Sequence, residues 1–227
     1  MLLAILGMLG PFSVDTYIPA FSGIAKALGA TPVEMQQTLS AYLLGFAFMN
    51  LFHGALADSF GRRPVILWGL VMFTIASAGC ALSQNITQLV IFRTLQGLST
   101  GAGIVVSRAI VRDIFPPTQA QGVMAQITIF FGVAPALAPV IGGWLFVHLS
   151  WQAVFWFLTI VGVLLWLINV KFLPESLPPQ KRQPFQFRPL MQGYGISRPL
   201  PTEHLDLWLE SFEPDPAWQR VNAAPLH

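Results

Sequence analysis

Six apolar stretches, each long enough to cross a bilayer, follow one another over the first three-quarters of the chain, and the polar residues between them come in short clusters. A helix needs roughly 20 apolar residues to cross about 30 Å of hydrocarbon. The stretches cover residues 2–25, 35–57, 65–82, 88–110, 120–147 and 151–172. They show no polar–apolar alternation and are about twice the length of a barrel strand. Only helices and closed barrels satisfy the backbone in lipid. The pattern therefore predicts an all-α membrane protein with six transmembrane helices. Gly97, Gly101 and Gly103 read as a small-residue face of the fourth helix, suited to close packing. Trp144 and Trp151 fall where an aromatic belt marks the outer interface.

The pattern changes after residue 172. Residues 173–194 read as a proline-rich, basic cytoplasmic linker, and residues 195–227 as an aberrant, disordered polar tail with no span. Only 10% of all residues are charged and 54% are hydrophobic. That leaves too little polar surface for a water-soluble domain. The tail holds five of the ten acidic residues. The net charge of +2 therefore describes neither part, and nucleic acid is not an expected partner. The first span lacks a basic leader and a cleavage site, so it reads as a retained helix. With the N-terminus in the cytoplasm, the inner side carries Arg62, Arg63, Arg108, Arg112, Lys171, Lys181, Arg182 and Arg188, and the outer side only Lys26. This bias places both termini in the cytoplasm. Cys80, alone, reads as a small packing residue. His53 and His148 have no ligand-like company, so no metal site is expected.

Charge inside hydrocarbon is costly and marks candidate function. Asp15 lies in the first span, roughly 13–15 Å below its outer end at 1.5 Å per residue. A carboxyl at that depth must be paired, protonated or beside a wet cavity, which makes it a candidate proton carrier. Pro19, a turn later, removes a backbone donor and can kink the helix. Arg93 lies roughly 8 Å below the outer end of the fourth helix, with Gln96 one turn along. The depths permit Asp15 and Arg93 to pair directly or through water, both side chains lying on one exposed concave face. A snorkelling Arg93 is the competing reading. The sharpest local pattern is Gly54-Ala-Leu-Ala-Asp58-Ser-Phe-Gly61-Arg62-Arg63-Pro64, a reversal with Gly61 at the turn and charges at helix ends.

That loop resembles the helix 2–3 signature of the major facilitator superfamily. Arg93-Thr-Leu-Gln96-Gly97 is similar to the superfamily's fourth-helix arginine motif. Ala138-Pro139-Val-Ile-Gly142-Gly143 resembles its fifth-helix antiporter motif, with Ala138 where glycine is usual. Asp15-Thr-Tyr-Ile-Pro19-Ala, Arg112-Asp113 and Pro174-Glu175-Ser176 look like the bicyclomycin-resistance drug-efflux branch. The resemblance covers residues 1–194 and implies the N-terminal six-helix half of that fold. It implies proton-coupled antiport of small amphiphilic drug-like molecules across the bacterial inner membrane, amid membrane lipids. A proton gradient would drive it and no cofactor would be needed. By the same resemblance, Asp15, Arg93 and Gln96 serve proton or substrate coupling. Asp58, Arg62 and Asp113, with Arg108 and Arg112, belong to a cytoplasmic latch toward the opposite half. Pro139, Gly142 and Gly143 shape helix 5 where the halves meet.

The superfamily has two six-helix halves with substrate between them, and this chain carries one. The expectation is therefore a half-transporter, inactive alone. The alternatives are a non-transporting membrane remnant or interaction protein, and a half-size transporter acting as a homodimer. No nucleophile–base set is visible, so an enzyme is not expected.

Overall fold

The computed structural model describes residues 1–182, and its regular structure is helical throughout. Seven α-helices follow in order: α1 (Leu2–Asp15), α2 (Phe21–Leu28), α3 (Pro32–Phe60), α4 (Arg62–Ala81), α5 (Ile86–Ile114), α6 (Pro117–His148) and α7 (Trp151–Phe172). With α1 and α2 taken as one interrupted span, six helices are long and apolar enough to cross a membrane. The tail at 195–227 and the linker beyond residue 182 lie outside the described residues.

The first span departs from the expected continuous helix. The α-helix stops at Asp15, a 3₁₀ turn occupies Ile18–Ala20, and helix resumes at Phe21. The backbone tightens to i→i+3 bonding there, with Tyr17 N–H donating to Val14 O and Ala20 N–H to Tyr17 O. Pro19, with no N–H, sits at the start of that turn. Asp15 is thus the last residue of a helix rather than a mid-helix residue.

The other ends extend past the apolar runs because polar residues at the boundaries are caps. Thr31 and Glu34 form a reciprocal capping box at the start of α3, and Pro32 occupies its first turn. Asn85 caps α5 through the Gln88 N–H at 2.9 Å, and Ser150 caps α7 through Ala153. The helix 2–3 loop shrinks to one residue, Gly61, at φ 104° and ψ 156°. L side chains rarely adopt that conformation, which explains glycine at the reversal.

α5 lies at the centre of the bundle, packed against α3, α4 and α1; α1 also packs on α6, and α4 on α7. The expected glycine face divides in two. A Cβ at Gly97 would collide with the Tyr42 carbonyl on α3, and one at Gly101 with Asn50, also on α3. A Cβ at Gly103 would collide with the Leu6 carbonyl on α1. Trp151, expected in the outer belt, is buried edge-on against Phe155, whereas Trp144 is exposed and stacks on His148. His53 is buried, and so is Cys80, as a small packing residue would be.

Candidate functional site

The deepest polar cluster is built around Arg93 on α5, which is fully buried. Its guanidinium lies between two tyrosine rings, 4.5 Å from the Tyr17 centroid and 4.3 Å from that of Tyr42. Nη1 donates to Gln96 Oε1 at 2.5 Å, and Gln96 Nε2 donates to Ser77 Oγ at 2.8 Å. Nε and Nη2 have no hydrogen-bond partner among the described residues. A desolvated cation over a ring face gains about 2 kcal/mol, while removing a charge from water costs several kcal/mol. The two rings therefore offset part of the cost, and two N–H directions remain unsatisfied.

Both tyrosines are held in place by the helices around them. Tyr17 follows the break in the first span, and its hydroxyl meets Thr38 Oγ1 on α3 at 2.5 Å. Tyr42 OH lies 2.8 Å from Ser13 Oγ on α1 and 3.0 Å from Thr100 Oγ1 on α5, and donates to Gly10 O at 3.0 Å. Gly97 lets α3 approach closely enough for the Tyr42 ring to cover Arg93.

Asp15 is half-buried, and its carboxylate forms no hydrogen bond or ion pair with a described residue. The expectation of a shared exposed face fails for Arg93, which lies inside the bundle. Nor are the two close enough for a salt bridge: Tyr42 stands within electrostatic reach of both. The fifth membrane span, α6, contributes from the other side. Gly142 of α6 lies so close to the Thr16 carbonyl that no Cβ fits, and Gly143 lies near Pro19. The fifth-helix glycines thus seat the break that carries Asp15, a contact within this bundle. Pro139 is half-buried, one residue after the fully buried Ala138.

A second cluster closes the end of the bundle at the α3–α4 turn. Arg62 bonds Asp58 at 2.5 Å and, through Nε, Asp113 Oδ2 at 3.0 Å, tying α3, α4 and α5 together. Ser176 Oγ donates to the same Asp113 oxygen at 3.1 Å. Glu175 accepts the backbone N–H groups of Arg62 at 2.9 Å and Arg63 at 3.3 Å. A carboxylate there complements the positive end of the α4 dipole. Arg182 approaches the same carboxylate at 3.7 Å. A Cβ on Gly61 would meet both Glu175 and Arg182. Arg63 Nη2 donates to Val170 O at 2.6 Å. Gly54 has ordinary room beside Val105. Arg108 and Arg112, expected beside Asp113, stay outside this cluster and face a cavity instead.

Sequence reasoning missed Tyr17, Tyr42 and Ser77 around Arg93, and the capping role of Glu175. One signal was available. Of three tyrosines, two lie in the spans, and a phenol in hydrocarbon needs a polar partner. Among the described residues no group of acidic, histidine or cysteine side chains could hold a metal ion.

Six helices long and apolar enough to cross a membrane, packed around a buried guanidinium, define the class as a polytopic membrane protein. The pattern of the Major Facilitator Superfamily matches residues 3–224, and the chain belongs to that family. The chain is 35% identical over 192 residues to a bicyclomycin resistance protein homolog of Haemophilus influenzae, covering 85% of this chain and 48% of that one. It is 30% identical over 200 residues to multidrug resistance protein D of Escherichia coli, covering 87% and 51%. The crystal structure of the human organic anion transporter MFSD10 (TETRAN) is similar at TM-score 0.62 and 26% identity, over 84% of this chain and 51% of that one. The chain spans about half the length of the relatives it matches.

Proposed function

We propose that this chain supplies one half of a proton-coupled exporter of small amphiphilic drug-like molecules, the facing wall coming from a second six-helix bundle. Both termini lie in the cytoplasm, as the eight-to-one distribution of Lys and Arg supports. The proton gradient drives the cycle without a cofactor, and the chain is inactive alone. One observation carries the reading: Asp15, half-exposed and with its side chain unpaired among the described residues, ends a broken helix in a bundle that also buries a guanidinium with unsatisfied N–H groups. An acid so placed exchanges protons with a wet path. The names of the multidrug and bicyclomycin relatives support the cargo class.

The test is drug resistance in cells stripped of their own exporters. The chain is expressed alone and with the C-terminal half of its Haemophilus relative, each with and without Asp15→Asn. Resistance that needs both halves and the acid supports the proposal. Resistance from the chain alone favours a homodimeric half-size transporter. No resistance in either setting, despite membrane insertion, leaves a non-transporting remnant.

A further inference from the structure

Arg108 and Arg112 stand one turn apart at the C-terminal end of α5. Neither side chain makes a hydrogen bond or ion pair with any described residue. Asp113, next in the chain, is engaged by Arg62 and Ser176 and neutralises neither. Together the two arginines line a cavity of about 440 Å³ between α3, α5 and α6, whose other walls include Phe46, Asn50, Met124 and Phe131.

We propose that this cavity binds amphiphilic organic anions, with a carboxylate or sulfonate on the guanidinium pair and an aromatic body against Phe46, Met124 and Phe131. Like charges at i and i+4 repel, and an anion between them removes that repulsion. The planar guanidinium fork matches a carboxylate with two parallel N–H···O bonds. Arginines that served only as cytoplasmic anchors would need no aromatic- and methionine-lined hollow. These two share one with two phenylalanines. The site and its charge preference go beyond the transport reading and rest on it only where the bound anion is called cargo.

The test uses the full chain in phosphatidylcholine nanodiscs and two fluorophores with the same ring system, anionic dansylglycine and cationic dansylcadaverine. Dansylglycine is expected to bind saturably and more tightly than dansylcadaverine. In Arg108→Gln/Arg112→Gln its affinity falls roughly tenfold or more, the loss of one or two charge-assisted bonds, while dansylcadaverine is unaffected. Arg108→Lys/Arg112→Lys recovers part of the affinity, since charge returns without the fork. Equal dansylglycine binding by the glutamine variant, or equal binding of the two probes by the unaltered chain, overturns the site. Phosphatidylglycerol in the nanodisc separates the two sources of anion. Persisting dansylglycine binding supports a soluble anion, whereas competitive abolition assigns the cavity to lipid headgroups and overturns the proposal. Dansylglycine binding is read on the chain alone and needs neither a second bundle nor a proton gradient. Failure of the resistance assay therefore tells against the transport reading without touching this one.

Discussion

Arg62 and Arg93 are both withdrawn from solvent, at 8% and 0% exposure, yet the bundle treats them in opposite ways. Arg62 faces two carboxylates and ties three helices together where water is near. Among the described residues Arg93 has no carboxylate at contact distance, only one amide oxygen and two ring faces. A buried cation with matched anions acts as a structural joint. One left with unsatisfied N–H groups is a cost the fold bears, and such costs concentrate at functional sites. Under the proposed function, the difference between the two arginines separates scaffold from machinery in this chain.

The largest expected effect tests that separation. Arg93→Met is expected to abolish drug resistance in the two-half assay while leaving the melting temperature in detergent unchanged or raised. Replacing a buried charge with an apolar side chain of similar volume is often neutral or stabilising. A marked drop in melting temperature would make Arg93 a structural joint like Arg62 and erase the comparison.

Next in size is Gly97→Val, which attacks the sandwich rather than the cation. Any Cβ there meets the Tyr42 carbonyl, so α3 must retreat and carry the ring off the guanidinium. Overpacking of this kind costs about 3 kcal/mol. Thermal unfolding and the near-ultraviolet signal of Tyr42 should both report it. A wild-type profile would mean that α3 and α5 do not meet at this point.

Much of this architecture was legible in advance, but unevenly. The six spans follow from uninterrupted apolar runs, because lipid admits little else. Their ends were short by a few residues, because Thr31, Asn85 and Ser150 read as loop and act as caps. The glycine face was misjudged for a geometric reason. At 100° per residue, position 103 lies about 240° round from position 97, so it faces α1 rather than α3. Asp15 and Arg93 stood out because charge in hydrocarbon is rare. Tyr42 did not, since its place over Arg93 depends on which helices are neighbours, and no local pattern encodes that. Glu175 was visible only as part of a family signature, because its partners lie over a hundred residues away in the chain.

Arg62→Met supplies the opposite arm of the first comparison. It strands Asp58 and Asp113, which are 49% and 23% exposed at the side chain, so water takes up part of the loss. The expected cost is about 1–2 kcal/mol, below the 3–5 of a fully buried pair. Restoring stability with Asp58→Asn/Asp113→Asn in the same chain would identify stranded charge as the cause. A double-variant background no better than Arg62→Met would point instead to lost packing of the arginine stem.

Glu175→Gln gives the smallest effect and shows where the scaffold joint ends. The variant keeps the shape and one acceptor oxygen at the α4 N-terminus but removes the anion that the helix dipole favours there. Loss of that charge is expected to cost about 0.5–1 kcal/mol. Because the cluster lies at the wet end of the bundle, rising salt should shrink the difference between Glu175→Gln and the parent chain. Arg93→Met should show no such salt dependence, since its site is closed to ions. If both differences fade with salt alike, Arg93 is reached by solvent and the contrast between the two arginines reduces to degree.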